Sequence, residues 1–438
     1  MTKRFHVLLA VFVLITTVLA GCGGGNGNNS SPAASGSSTN TASVSPTPSA
    51  SGEKAKLTIG SWRTEDREAY EKIIAAYNAT NPNVEIVFNP SKNTEYNTIL
   101  NTALQTGEGP DIIQLRPYAA GRQLADAGFL EPLDGQIKGL DTFSKDTLAA
   151  ATGTDGKVYG VPTVYSSTQV FYNVKIFKEN NIEVPKTWDD MIKAAETLKA
   201  KGITPFAFGS KEGWLLSLTH GALAPQFYGG SDFATKVLSG ETNFQSEGYV
   251  SSLQMMKDLT PYFPENYEGL GMDDIRNLFV TEQAGMFVMG DWELAVMQKA
   301  NPALELGVFP VPGKDGKATV TTWVDGSFAV NAKSKNKAEA LKFVEFMTTK
   351  EFGTLVVNEL KKPSTLQGVT ATDPIVSQLS EYANTIATPY ASVVYFNQGN
   401  PTTKSVLETN LQAMYLGSLT PKQVADEVQK SADTWLKK

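Results

Sequence analysis

Cysteine occurs once in 438 residues, at position 22, and histidine twice, at positions 6 and 220. A single thiol cannot build a disulfide framework. Two histidines far apart cannot supply the usual zinc ligand sets or a cysteine–histidine nucleophile pair. No metal site and no cofactor is therefore expected. A serine–His220–carboxylate triad stays formally open, but the chain has no G-x-S-x-G elbow. Excess positive charge is also missing: the formal net charge is −7, and no basic patch carries interleaved aromatics. Nucleic acid is a poor partner for such a chain. Long apolar runs are absent except Val7–Leu19, which is short of the ~20 residues a membrane-spanning helix needs.

That run has company. Lys3 and Arg4 precede it, and the small residues Ala20 and Gly21 close it, which is the layout of an export signal over residues 1–21. "LAGC", Leu19–Cys22, resembles the bacterial lipobox. The resemblance implies that Cys22 carries the lipid and begins the mature chain, so that the protein is held at a membrane on its extracytoplasmic face. Two acyl chains suffice for stable anchoring where one does not. Residues 23–52 then hold no charge, no aromatic and one branched apolar residue, Val44. A segment of that composition cannot bury enough surface to offset its chain entropy. Residues 22–55 are read as a lipidated cysteine and a tether with a span of roughly 30 Å.

Folding signals begin at Lys56. "KLTIGSW" reads as a strand running into a loop. "DREAYEKIIAAYNATNP" puts Tyr70, Ile73, Ile74 and Tyr77 on one helical face, a core stripe. "VEIVF" alternates as a strand. "NTEYNTILNTALQTG" lines up Tyr96, Ile99, Leu100, Ala103 and Leu104, with Gly107 as the cap. "PDIIQL" is a third strand. This alternation with short loops argues for a parallel sheet covered by helices. The grammar returns in "KTWDDMIKAAETLKAKG", where Thr187 and Asp190 mark a helix start, and in "PFAFG", a strand. "NKAEALKFVEFMTTKE" carries Leu341, Val344 and Met347 on one face. In "TPKQVADEVQKSADTWLKK", Thr420 and Gln423 form a capping box. Trp188 and Trp435 fall on apolar helix faces and read as core. Asp189–Asp190 fits a helix N-terminus, where negative charge is favoured.

On "DGKVYGVPTVYSSTQVFYNVKIFKENNIEVP" and segments on both sides of it, the chain resembles the extracellular solute-binding proteins, family 1, of ABC transporters, the maltose-binding-protein-like group. "GEGPDIIQL", "FVTEQAGMFVMGDWEL", "GVFPVPGKDG", "GSFAVNAKSKNKAEALKFVEFM" and "LGSLTPKQVADEVQ" match in order, across nearly all of residues 56–438. The resemblance implies an α/β fold of two lobes, a periplasmic-binding-protein-like type II clamshell with crossover hinges and a ligand cleft between the lobes. One lobe would comprise residues 56–163 and 326–372, the other 164–325 and 373–438. It implies a monomeric, non-catalytic binder. Hinge closure would capture a sugar or oligosaccharide, and a membrane permease would receive it.

The residues themselves point to aromatics beside polar groups in loops. Sugars need this pairing, because their C–H faces pack on flat rings while their hydroxyls need aimed donors and acceptors. Trp62 and Arg63 follow the first strand, and Arg116 and Tyr118 follow the third, at carboxyl ends where open α/β sheets bind ligands. Asp111 reads as opening its strand. The resemblance adds Glu212 as a hydroxyl acceptor, Trp214 and Trp292 as stacking platforms, Tyr165 and Ser166 at the first crossover, Trp323 and Asp325 at the second, and the loop aromatics Tyr395 and Phe396. The relative's carboxylate at the first crossover is missing here. Two other readings remain: the same binder for a polyamine, metal or peptide, and a surface glycosidase, which would need two carboxylates about 5 to 10 Å apart.

Overall fold

The computed structural model describes residues 54–436. The export signal, Cys22 and nearly all of the tether lie outside the described residues. Among the described residues twelve strands form two sheets: β1 (Ala55–Ser61), β2 (Val84–Pro90), β3 (Ile112–Leu115), β4 (Val161–Pro162), β5 (Tyr165–Asn173), β6 (Thr204–Phe206), β7 (Ala284–Gly290), β8 (Leu306–Phe309), β9 (Val311–Pro312), β10 (Ala318–Val324), β11 (Ser327–Val330) and β12 (Ala387–Pro389).

The first sheet runs β2-β1-β3-β11-β4. Its opening three strands are parallel, as their short helical connections require, and β11 runs against its neighbours, pairing antiparallel with β3 on one side and β4 on the other. The helix Arg67–Thr80 buries Ala69, Tyr70, Ile73, Ile74 and Tyr77 against it, with Tyr70 stacked on Phe88 at 4.4 Å. The helix Tyr96–Thr106 ends at Gly107, whose φ of +80° is the left-handed cap that glycine adopts freely. Its buried stripe is narrower than the periodicity suggests. Tyr96, Leu100 and Leu104 face the sheet, while Ile99 stands 50% exposed. A helix packed at this flank buries one row spaced by four, and Ile99 falls off that row.

The second sheet runs β12-β10-β5-β7-β6, with β8 also on β5 and β9 on β10. It is mixed. β5, β7, β8 and β10 pair antiparallel, and only β6–β7 and β10–β12 are parallel. The cause is β5 itself, a nine-residue strand buried on both faces that enters from the first sheet and receives neighbours running back. The helix Trp188–Ala200 opens with a reciprocal Thr187–Asp190 capping box and packs Trp188, Met191, Ala195 and Leu198 into this lobe's core. The helix Pro421–Ala432 repeats the device with Thr420 and Gln423.

The chain passes between the sheets from β4 to β5 and from β10 to β11. A further segment lies beside the first passage. The Tyr165 N–H donates to Pro363 O at 3.0 Å, and the Thr365 N–H to Thr163 O at 3.3 Å. The backbone enters this segment through Lys361, at φ +57°. Among the described residues no helix is long and apolar enough to cross a membrane.

Candidate ligand-binding site

The carboxyl end of β1 delivers Trp62 and Arg63 to the junction of the lobes. The turn is held from beneath: Ser61 Oγ donates to Gln114 Oε1 and accepts the Arg63 N–H at 2.9 Å. The Arg63 guanidinium then reaches in three directions. It pairs with Asp325 on the second crossover, lies 3.2 Å from Glu65 Oε1, and sits 4.7 Å from the centre of the Trp292 ring of the other lobe. Asp325 is tied to the first crossover in turn. Its N–H donates to Val164 O at 3.1 Å, and its Oδ2 accepts from Ser166 Oγ at 3.0 Å. Burial opposes the charge on both partners, but the pair outweighs it, holding the Asp325 carboxyl below the usual aspartate range and the Arg63 pKa above the ordinary arginine value.

Two aromatic platforms flank this pair. Trp62 packs against Tyr96 at 5.6 Å and is covered by the Arg116 guanidinium at 4.1 Å. Arg116 is itself fixed by Asn97 Oδ1 at 3.2 Å and Asn93 Oδ1 at 2.6 Å, and burial pulls its pKa down to about 10. On the facing lobe Trp292 meets Trp323 edge-on at 5.8 Å, and Trp323 meets Tyr390 at 5.1 Å. Trp292 lies flat over Gly290, where a Cβ would come within 2.0 Å of the ring, so only glycine leaves room for it. Gly326, at φ +90°, lets the second crossover turn against Trp62.

Tyr118 closes the group. Its backbone holds φ +59° and ψ −127°, a conformation rare for a residue with a Cβ, and its hydroxyl accepts the Val324 N–H at 3.4 Å. Burial pushes its pKa up to about 12, and Tyr165, Tyr395 and Asp325 lie within electrostatic reach. Outside the group, Lys299 pairs with Glu68 from one lobe to the other at the surface.

Of the residues singled out in the sequence, the structure brings together Trp62, Arg63, Arg116, Tyr118, Trp292, Trp323 and Asp325. Tyr165 stands at the rim with its hydroxyl 2.7 Å from Thr147 Oγ1. Tyr395 packs partly into its own lobe's core, next to the buried Phe396. Glu212 and Trp214 are tied to each other. The carboxylate accepts the Trp214 indole N–H at 2.7 Å and the Met272 backbone N–H at 2.9 Å, so both its oxygens already have donors. Trp214 lies at the edge of the apolar cluster that holds Trp292 and Trp323. Asp111 accepts from Thr58 N and Ser334 Oγ, a strand-opening role.

Three groups escaped the sequence reading. Lys362, 2% exposed, bonds both carboxylate oxygens of buried Asp66 at 2.8 and 2.6 Å. Tyr390 backs Trp323. Asp291 sits beside Trp292 in "GDW", a motif in which the tryptophan drew the attention. No group of three or more histidine, cysteine or carboxylate side chains suited to a metal occurs among the described residues. The arrangement offers flat rings on both lobes, guanidinium donors and carboxylate acceptors. That set can sandwich a polar, flat-faced solute and satisfy its hydroxyls.

Comparison with known proteins bears on the family and the fold. The sequence profile of the family described as bacterial extracellular solute-binding protein matches residues 60–353. The multiple sugar-binding protein of Streptococcus mutans is 28% identical over 308 residues, 68% of this chain and 72% of its own length. The galactooligosaccharide-binding protein of Bacillus subtilis is 24% identical over 352 residues, 76% of this chain and 78% of its own. A solved structure from a study of xylan utilization by the thermophilic bacterium Caldanaerobius polysaccharolyticus superposes with a TM-score of 0.76 at 22% identity, over 86% of this chain and 99% of the other, and carries the same two-lobe fold.

Proposed function

This chain belongs to the bacterial extracellular solute-binding protein family, and from that premise we propose that it is the sugar-capturing receptor of an ABC importer. One observation carries the reading to carbohydrate: two tryptophans from opposite lobes, Trp62 and Trp292, converge on one guanidinium, Arg63, at 5.9 and 4.7 Å. A sugar ring entering at this junction meets apolar ring surface contributed by each lobe, with charged hydrogen-bonding groups beside it. A ligand touching both lobes makes all its contacts only when they are together, so it shifts the population toward the closed form, which a permease can read.

The lobes of this proposal are residues 56–163 with 326–372 and residues 164–325 with 373–438, rotating about the crossovers. Lipid on Cys22 holds the receptor at the membrane, the polar segment after it serves as the tether, and the protein acts as a monomer without catalysis. Trp62, Arg63, Arg116, Tyr118, Trp292, Trp323 and Asp325 form the binding surface, with Tyr165, Tyr395, Glu212 and Trp214 at its margin.

The test is a thermal-shift screen of the purified protein against galacto-, xylo- and malto-oligosaccharides and raffinose, with spermidine, phosphate, a tripeptide and divalent metals alongside. A native-state ligand raises apparent stability by about 2.7 kcal/mol at a hundredfold excess over Kd. A shift with one sugar series that is lost in Trp292→Ala supports the reading. A shift only with spermidine, the tripeptide or a metal refutes the sugar assignment.

A further inference from the structure

Asp291 follows β7 and lies fully buried at the junction of the lobes. Its backbone is fixed, the N–H donating to Ser167 O and the carbonyl accepting from the Leu294 N–H, both at 3.0 Å. Its side chain is not. Neither carboxylate oxygen has a hydrogen-bond partner among the described residues. The charged groups around it come from every element packed there: Arg63 after β1, Asp325 on the second crossover, and Lys362 on the third chain segment. Glu293 follows two residues on along the same turn. Each cation is already committed. Arg63 holds Asp325 and Glu65, Lys362 holds Asp66, and Arg276 holds Glu293 at 2.5 Å. Asp291 is the carboxylate left over.

A buried carboxylate without donors is strongly unfavourable, and it relaxes in one of two ways: it takes up a proton, or it is given donors. As a carboxylate it can only accept, and its two oxygens match two neighbouring donors. Adjacent hydroxyls on a sugar ring present such a pair. We propose that Asp291 is the anchoring acceptor for a vicinal hydroxyl pair of the bound sugar, and that until those hydroxyls arrive its unpaired charge opposes closure of the lobes. The inference rests on reading the inter-lobe junction as the sugar site. It makes closure conditional on a ligand of the right stereochemistry, because a solute without the hydroxyl pair leaves the carboxylate unpaired.

The sign of the pH effect follows. Burial pushes Asp291 up to about 7 against the pull of Lys362 and Arg63. With the lobes apart the group is solvated and falls back toward the ordinary aspartate value near 3.9. Closure without sugar therefore takes up a proton between about pH 4 and pH 7, and becomes harder as pH rises through that window. Between pH 8 and pH 5.5 the closed fraction relative to the open one rises roughly thirtyfold.

The experiment reads lobe separation by energy transfer between dyes at exposed Asn101→Cys and Lys236→Cys. It uses the full chain with Cys22→Ser, without sugar and with raffinose, galactobiose, xylotriose or maltotriose. The expected result without sugar is closure on acidification in the wild type. Asp291→Asn should close equally at pH 8 and pH 5.5. It should bind the sugar that the wild type binds at least tenfold more weakly, with an unchanged or raised Tm. Should Asp291→Asn fail to fold, Asp291→Glu keeps the acceptor one methylene displaced, and should retain the pH response while binding more weakly. A wild type whose lobe separation ignores pH, or an Asp291→Asn protein that binds its sugar as well as the wild type, overturns the proposal. Loss of binding in Trp292→Ala beside unchanged binding in Asp291→Asn removes Asp291 alone and leaves the sugar reading standing. If no sugar binds, that reading falls, and the sugar anchor falls with it.

Discussion

Gly290→Ala perturbs the proposed site without replacing any side chain assigned to it. Gly290 ends β7 at a backbone conformation outside the left-handed region, so the main chain itself accepts alanine. The obstacle is the Trp292 ring, whose Cζ3, Cη2 and Cε3 would lie 2.0, 2.1 and 2.4 Å from the new Cβ. Carbon atoms do not approach so closely, so the ring must swing away by an ångström or more. Doing so separates it from Arg63, now at 4.7 Å, and from Trp323, now at 5.8 Å. A partly desolvated cation–π contact is worth about 1–2 kcal/mol and an aromatic pair about 0.5–1.5 kcal/mol. The cation–π contact forms across the lobes, so its loss of about 1–2 kcal/mol weakens sugar binding by roughly five- to thirtyfold, while the aromatic pair, within one lobe, adds to the loss of stability instead. Titration calorimetry measures the affinity, and indole emission reports the ring's environment. Because both changes act through one ring, Gly290→Ala with Trp292→Ala should bind no worse than Trp292→Ala alone. Wild-type affinity in Gly290→Ala, or losses that add in the double variant, would refute the stacking role.

Lys362→Met leaves Asp66 as a buried carboxylate without its cation and should destabilise the fold by about 3–5 kcal/mol, whereas Lys362→Met with Asp66→Asn should recover most of the loss; denaturant unfolding of the three variants checks this. His220, bonded through Nε2 to Ser252 Oγ at 2.9 Å, is held down to about 3 by burial. The unfolded chain takes up that proton below about pH 6.5 and the folded chain does not, so stability is flat above 6.5 and falls by about 2 kcal/mol on going to pH 5. His220→Gln should flatten that part of the profile, read by urea melts at pH 7.5 and pH 5.

Local grammar was legible because its causes are local. The Tyr70–Tyr77 stripe is the buried face of its helix, and the Thr187–Asp190 and Thr420–Gln423 pairs close their capping boxes. Each depends on residues within one or two turns. Strand direction does not. β5 is buried along almost its whole length, so no alternation of polar and apolar residues reveals its neighbours, and the antiparallel pairing of the second sheet has no short-range signature. Ile99 shows the same limit from the other side. Periodicity places it on an apolar face, but the width of the face that is actually covered depends on what packs against it.

The site divides along the same line. Trp62, Arg63, Arg116 and Tyr118 were legible as candidates because they follow strand ends, where a parallel sheet opens its crevice. Their partners could not. Arg63 and Asp325 are 262 residues apart, and Asp66 and Lys362 are 296 apart. In "ELKKPS" the two lysines look alike, yet Lys361 reaches the partly exposed Asp373 while Lys362 is buried against Asp66. The difference is made by the chain entering the junction at Lys361 in a left-handed turn. Charge pairing across the junction decides which residues are free to meet a ligand. A carboxylate that is paired, such as Asp325, already holds donors of its own and offers a ligand only its remaining acceptor capacity. One that is left over, such as Asp291, carries the demand that a ligand must meet. A list of acidic residues near tryptophans cannot separate the two, because the distinction exists only once every cation has been matched to its partner in three dimensions.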